Sequence, residues 1–462
     1  MSQRLNLSIE LGKQARNRVG DHSEDQQLSI VVLGSFTGDA GAGNPLPAPK
    51  PSLHPVDIDS FDGFMARMKP TLEIDLEGCE DAVRIDFKNL EDFHPDQLYD
   101  RLTIFQSEPG SRSPTETSPP DAPIDHESKN RGESDQQTLA RLLGKQAQTG
   151  AQTDPANTKK TVIESVVRKL ATVSSQTELN AAPVSDPRQP ETAATMMRQL
   201  LHHNSFQALE SRWRGLDWLV RNIEPDEGFQ LYVMNLSREV MQNSFQNNRD
   251  IHQTDPFRVI QNQFMEHTSS EHKLILIYDE SFAPIQEEIA LLEGLGSLAE
   301  SLDATLIAAA DDCFAEDADT DSCDLNAWIA FRKSALADRI TLVLPRILLR
   351  LPYGRNYDPI DAFAFEELDP EWRTTDLLWG NPAYALGILL AARRVMNQPS
   401  QNAVLTDCPA FAFERDDERQ LQPCTEHLYH KRQIARLLDL GLVPVIGSRR
   451  SNTIQLPGLQ SL

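Results

Sequence analysis

The chain has 462 residues, with 69 acidic side chains against 44 basic ones and a formal charge of −25; a balance this negative argues against a nucleic-acid backbone or an anionic membrane as the main partner, since both reward lysine and arginine. Five cysteines without a CxxC pair speak against a disulfide framework or a structural zinc and favour a reducing compartment. With no apolar run near the ~18–20 residues of a membrane span and a polar start from Met1 to Gly12 that lacks a signal peptide's apolar stretch, the expectation is a soluble, cytoplasmic chain of about two to four domains.

The first domain is read over residues 1–105. Leu5–Leu11 alternates apolar and polar residues like a half-buried strand, and Leu28–Leu33 is a denser apolar run that ends at Gly34. A Gly- and Pro-rich loop follows from Gly38 to Pro55, then Asp59 or Ser60 caps a helix over Phe61–Met68 that Pro70 ends. Leu72–Leu76 and Ala82–Phe87 read as strands, with Glu77-Gly78 as the turn of a hairpin. The expected unit is small, α+β and mostly antiparallel.

Residues 106–191 read as a flexible linker. From Gln106 to Gln137 large apolar residues are almost absent, so burial does not offset an ordering cost of roughly 1–2 kcal/mol per residue. Two short amphipathic segments interrupt the polar region beyond it: Thr138–Lys145, carrying Leu139, Leu142 and Leu143, and Val162–Leu170. Each is too short to be a stable helix alone and is read either as docking on the protein or as a motif for a partner.

The second domain is read over 192–462. Helices are expected at Thr192–His203, Phe206–Val220, Ser237–Phe245, Pro284–Leu302, Pro382–Met396 and Leu428–Leu440, and strands at Phe229–Met234, Leu274–Tyr278, Thr305–Ala309 and Leu442–Ile446. Alternating helices and apolar strands predict an α/β layer architecture.

Catalytic, cofactor and metal motifs do not emerge. The loop Gly34-Ser-Phe-Thr-Gly38-Asp-Ala-Gly41-Ala-Gly43 lacks the Gly-Lys-Ser/Thr ending of a phosphate loop and reads as a connection. Asp317, Asp319 and Asp321 begin like a calcium loop, but Ser322 and Trp328 stand at its glycine and bidentate-glutamate positions. His202 and His203 are adjacent at a helix end, where they complement the dipole. Cys313, Cys323, Cys408 and Cys424 have no histidine at ligand or catalytic spacing. Trp213, Leu216, Leu219 and Val220 share helical spacing with Phe206 and Leu209 and predict a buried face. Arg346 and Arg350, four apart and taken as one helix face, leave two readings open: internal pairing with carboxylates, or an interface.

The same residues carry a family resemblance. Leu201-His-His-Asn-Ser-Phe-Gln-Ala-Leu-Glu-Ser-Arg-Trp213-Arg214-Gly215-Leu, Leu342-Val-Leu-Pro345-Arg346-Ile-Leu-Leu-Arg350-Leu351-Pro352-Tyr353-Gly354 and Leu378-Trp379-Gly380-Asn381-Pro-Ala-Tyr384-Ala resemble, in order, three signatures of the large contractile-sheath subunit of bacterial type VI secretion (TssC-like). In the first domain, Leu33-Gly34-Ser-Phe-Thr-Gly38, Val56 to Met65 with Met68-Lys69-Pro70, and Phe87 to Pro95 resemble the small sheath subunit (TssB-like).

The resemblance implies a small-subunit domain fused to a C-terminally shortened large-subunit domain. It implies a non-enzymatic, phage-tail-like structural protein that uses no cofactor and assembles with sheath subunits or itself around a tail-tube protein, on a baseplate, with an AAA+ ATPase for disassembly. Contraction in that family releases conformational energy when interfaces repack. The motif residues named above would then serve assembly, and Leu139, Leu142 and Leu143 would be a handle for the ATPase. Because the chain ends at Leu462, the alternative expectation is an adaptor or terminator that docks on a sheath end or baseplate without polymerising.

Overall fold

The computed structural model describes residues 27–38, 50–106 and 189–462, less 78, 80, 224–227, 249, 265–271, 316–323, 397–402, 416–417, 450 and 457–461. The expected Leu5–Leu11 strand, both amphipathic segments of the linker and the acidic loop at 317–321 lie outside the described residues.

The N-terminal segment supplies β1 (Leu28–Gly34), β2 (Leu53–Pro55), α1 (Phe61–Met68), β3 (Thr71–Ile74), β4 (Val83–Asp86), α2 (Pro95–Arg101) and α3 (Thr103–Gln106). From residue 189 come α4 (Gln189–Leu201), α5 (Asn204–Asn222), β5 (Phe229–Asn235), α6 (Arg238–Asn247), α7 (Asp255–Phe264), β6 (Lys273–Phe282), α8 (Gln286–Ser301), β7 (Ala304–Ala310), α9 (Leu325–Phe331) and β8 (Ile340–Leu344). The remainder is β9 (Ile347–Leu348), β10 (Trp379–Gly380), α10 (Ala383–Met396), β11 (Ala403–Leu405), β12 (Phe411–Arg415), β13 (Glu418–Gln422), α11 (Lys431–Asp439), β14 (Val443–Pro444), β15 (Ile446–Ser448) and β16 (Ser451–Leu456).

Seven strands form the main sheet in the order β14-β8-β7-β6-β1-β5-β2. All pair in parallel except the edge strand β2, which runs antiparallel to β5. The α/β reading of the fold therefore holds.

The position of β1 was not legible in the sequence. It lies between β5 and β6, with Leu28 opposite both Phe229 and Lys273. Every residue of β1 is buried. Ile30 and Val32 enter the core on one sheet face and Val31 and Leu33 the core on the other. A strand apolar on both faces suits the interior of a parallel sheet covered on both sides. The two sequence segments thus share one sheet and one compact unit. The β3–β4 hairpin is antiparallel, as expected, and packs beside this sheet on the α5 side.

Helices cover both faces. α5 and α10 lie on one, joined by α1 and α4; α7, α8, α9 and α11 lie on the other. The segment after β8 departs from expectation: Arg346 and Arg350 flank the short strand β9 rather than sharing a helix face. Pro345, which has no amide hydrogen to donate, sits at the start of this stretch, and β9 pairs with β10 instead.

Candidate functional site

The three large-subunit-like motifs converge on helix α5. Its start follows from the break at His202–His203. His203 holds extended backbone and its Nδ1 accepts the Ser205 amide, so it caps α5 rather than complementing the C-terminal dipole of α4. His202 stays on the inner side, where burial lowers its pKa and its Nε2 lies 3.8 Å from Glu367.

The face of α5 predicted to be buried is buried, and what it meets is the N-terminal segment. Trp213 is fully enclosed; its indole N–H donates to the Phe36 carbonyl at 3.0 Å, and its ring lies 5.3–5.9 Å from those of Phe36, Phe61 and Phe64. Two turns earlier, Phe206 meets Phe87 and Phe93, which stack at 4.1 Å. Gly215 gives a further close approach: a Cβ there would lie 2.6 Å from the Tyr384 ring of α10. Ser211 donates to the Trp379 carbonyl at 2.9 Å.

A buried ion network joins the first two motifs. Arg350 donates from Nε to Glu210 at 2.9 Å and from Nη1 and Nη2 to the two oxygens of Glu367 at 2.7 and 2.9 Å. Arg214 donates to Glu210 at 2.7 Å and to the Tyr353 hydroxyl at 3.1 Å. The Tyr353 amide donates to Glu367 at 2.7 Å, and the Arg350 guanidinium stands 4.2 Å over the Tyr353 ring. Burial alone would raise the Glu210 pKa, but Arg350 and Arg214 outweigh it and hold the carboxyl below its ordinary value. Burial likewise acts against the charge on Arg350, and Glu210 and Glu367 more than restore it. Two arginines against two glutamates leave this interior charged and balanced. Of the two readings of Arg350, internal pairing is the one found: the side chain is only 8% exposed.

The other motif residues are also largely structural. Arg346 forks onto Glu426 and is half exposed, so its guanidinium reaches the surface. Leu351 packs beside Trp379 in a small aromatic cluster, and Pro352 is buried. Gly354 has φ +154° and its Cβ would run into the Glu366 carboxylate. Gly380 lies against Leu349, and Asn381 accepts the Ala383 amide at the start of α10. Leu139, Leu142 and Leu143 lie outside the described residues.

At the C-terminal end of β6, Asp279 is buried beside Gly34, with Arg212 Nε 3.5 Å away. Arg212 also pairs with Glu280 at 2.9 Å, and Arg238 links Glu280 and Glu288. Burial pushes the Asp279 pKa up to about 6. Glu210, Glu367, Asp279 and Tyr384 were missed from sequence. Glu210 sits inside a quoted motif, but nothing in its neighbours distinguishes a buried glutamate from a solvated one. In the glycine loop, Gly38 has φ +78° and its Cβ would clash with the Thr71 carbonyl, so it is needed for a turn against β3. Among the described residues no three His, Cys, Asp or Glu side chains are grouped to hold a metal, and no helix is long and apolar enough to cross a membrane.

Comparison with known proteins places these features in a family. Residues 191–462 match the VipB family, described as "EvpB/VC_A0108, tail sheath N-terminal domain". Residues 14–106 match the VipA family, described as "Type VI secretion system, VipA, VC_A0107 or Hcp2". The chain is 28% identical over 287 residues to the type VI secretion system sheath protein TssC1 of Pseudomonas aeruginosa. That alignment covers 57% of each chain, so this chain spans little more than half the length of the relative.

Proposed function

The chain belongs to the VipB tail-sheath family and carries a VipA segment ahead of it, and we propose that it is a fused protomer of a type VI secretion sheath that assembles with copies of itself or other sheath subunits around a tail tube. The observation that carries this reading is β1. A strand from the VipA-matching segment is hydrogen-bonded on both sides to strands of the VipB-matching segment. The two parts are one folding unit, as a protomer requires, and fusion supplies both in equal number at high effective concentration.

The role is structural and the location cytoplasmic, with the baseplate and an AAA+ disassembly ATPase as further partners and Leu139, Leu142 and Leu143 as the ATPase handle. The motif residues then contribute to assembly indirectly, by fixing the protomer's shape. Arg346, with its side chain half exposed, is the most exposed of the motif arginines.

Sedimentation and negative-stain electron microscopy of the purified chain, with and without the tail-tube protein, test the proposal. Tubes or stacked rings are the expected result. A stable monomer or small oligomer under both conditions would overturn it in favour of an adaptor that docks on a sheath end or baseplate.

A further inference from the structure

A groove of about 610 Å³ runs beside α4. One wall is the helix itself, where Ala194 and Arg198 lie one turn apart on the same face. The other wall is the loop between β9 and β10, from Arg355 to Glu366, and Ile360, Phe363 and Phe365 give it an apolar lining. That loop is fastened by the N-terminal segment. The Asp96 carboxylate of α2 accepts the Asp361 amide at 3.0 Å and the Ala362 amide at 2.9 Å, and the Tyr99 ring lies 4.7 Å from that of Phe363. From α4, Arg198 donates through Nε to the Glu366 carbonyl at 2.9 Å, with its guanidinium 5.8 Å from the centre of the Phe365 ring. Both walls are therefore held in place by the fold.

The charge of the groove is opposite to that of the chain. Two guanidiniums, Arg198 and Arg355, line it against the single carboxylate of Glu366, in a protein whose formal charge is −25. The Glu366 carboxylate accepts the Arg355 backbone amide at 3.2 Å. Glu367, next in sequence, is taken up by Arg350 in the buried network. Among the described residues neither Arg198 nor Arg355 is in an ion pair with a carboxylate. A guanidinium is a forked donor that suits carboxylate, sulfonate or phosphate oxygens, and it also lies well against aromatic rings. A concave site of roughly 300–1,000 Å³, mostly apolar with a few convergent polar groups, is the usual form of a small-molecule pocket.

We propose that this groove binds a small amphipathic anion, with a flat apolar body resting on Phe363 and Phe365 and one carboxylate, sulfonate or phosphate group held by Arg198 and Arg355. The Nη atoms of Arg198 take the anion, because Nε is already committed to the Glu366 carbonyl. Inorganic phosphate alone would forgo the aromatic contact, and an uncharged aromatic would forgo the guanidiniums, so both parts of the ligand are needed. The site lies within one compact unit and stands independently of whether the chain polymerises as a sheath.

Anilinonaphthalene sulfonate, an aromatic body with one sulfonate, is the probe. It is titrated into the full chain and followed by its fluorescence, with equilibrium dialysis for the stoichiometry. The expected result is saturable binding of one molecule per chain. Arg355→Gln changes an exposed side chain and keeps the backbone bond to Glu366, so it should leave the fold intact and weaken binding about tenfold. Arg198→Gln should do the same. Ala364→Trp fills the groove from its exposed rim while keeping both arginines, and should abolish binding. Phenylnaphthylamine, which has the same rings without the sulfonate, should bind about tenfold more weakly than the probe. Circular dichroism checks that each variant is folded, and the surface change at Arg355 decides the matter even where Arg198→Gln is not. The proposal is overturned if the wild-type chain shows no saturable site, as a groove covered by a second copy would give. It is equally overturned if folded Arg355→Gln or Ala364→Trp binds the probe as the wild type does, or if the uncharged analogue binds as tightly.

Discussion

Trp213 and Phe36 are 177 residues apart in the chain, and the indole N–H of one donates to the backbone carbonyl of the other at 3.0 Å inside a fully enclosed aromatic nest. The bond joins the VipA-matching and VipB-matching segments at the helix that all three large-subunit motifs touch. Trp213→Ala should cost about 3–5 kcal/mol, and it should do so in a single unfolding transition, since both segments share the sheet. Trp213→Phe keeps much of the ring packing but leaves the Phe36 carbonyl without its donor, an effect of about 1–3 kcal/mol. Guanidinium unfolding followed by fluorescence and by circular dichroism checks both. Two separated transitions in the wild-type chain would contradict the shared-sheet account.

Arg350→Ala should harm folding before it harms assembly, reversing the expectation attached to an interface arginine. Its loss would strand Glu367, which is 1% exposed and receives two of its three strong donors from Arg350. Removing one partner of a buried pair typically costs about 3–5 kcal/mol. Arg350→Met combined with Glu367→Gln should recover a good part of that, because Glu210 keeps its bond to Arg214 at 2.7 Å. Comparing the urea midpoints of the single and double variants with that of the wild type measures the recovery. A folded Arg350→Ala chain of wild-type stability would rule out the network as a structural element.

These two sites show where reading the sequence succeeds and where it stops. α1 over Phe61–Met68 and the apolar face of α5 were legible because helical spacing of apolar residues is a local signal. The run from Leu28 to Leu33 was legible as a strand but not as a central one: its neighbours β5 and β6 begin about two hundred residues or more further on, and only pairing reveals them. Arg346 and Arg350 were placed on a helix because four-residue spacing fits one; the β-bonded stretch around Pro345 shows spacing alone to be insufficient. Carboxylates such as Glu210 and Glu367 carry no local mark of burial, since what buries them is an arginine contributed from elsewhere in the chain.

Gly215→Ala tests the close approach of α5 and α10. The added methyl would fall 2.6–2.8 Å from ring carbons of Tyr384, which is itself fully buried and has little room to turn. Overpacking of this kind costs roughly 1–3 kcal/mol, although alanine is by itself the better helix former. The Tyr384→Ala variant removes the ring that clashes, so the double variant should be less destabilised than the sum of the two single changes. A double-mutant cycle on thermal or denaturant unfolding reads that coupling directly. Strict additivity would mean that the two helices separate without resistance.

Asp279 gives the protein a pH dependence of definite sign. It stands at the end of β6 with 7% of its surface exposed, and burial lifts its pKa from 3.8 to about 6 although Arg212 pulls the other way. Between those two values the folded chain holds a proton on this carboxyl that the unfolded chain has released. Stability contributed at this site therefore falls as pH rises from about 4 to about 6. The loss is complete above that window, at about 3 kcal/mol. Below pH about 4 both states are protonated and the site costs nothing. Asp279→Asn removes the titration, and Arg212 retains Glu280 at 2.9 Å, so the change strands no guanidinium. Unfolding free energies of wild type and variant, measured from pH about 4.5 to 7.5, supply the check. The wild-type value minus the variant value should decline through the window and level off above it. A difference that stays flat throughout would show that Asp279 titrates in the folded chain as an ordinary aspartate.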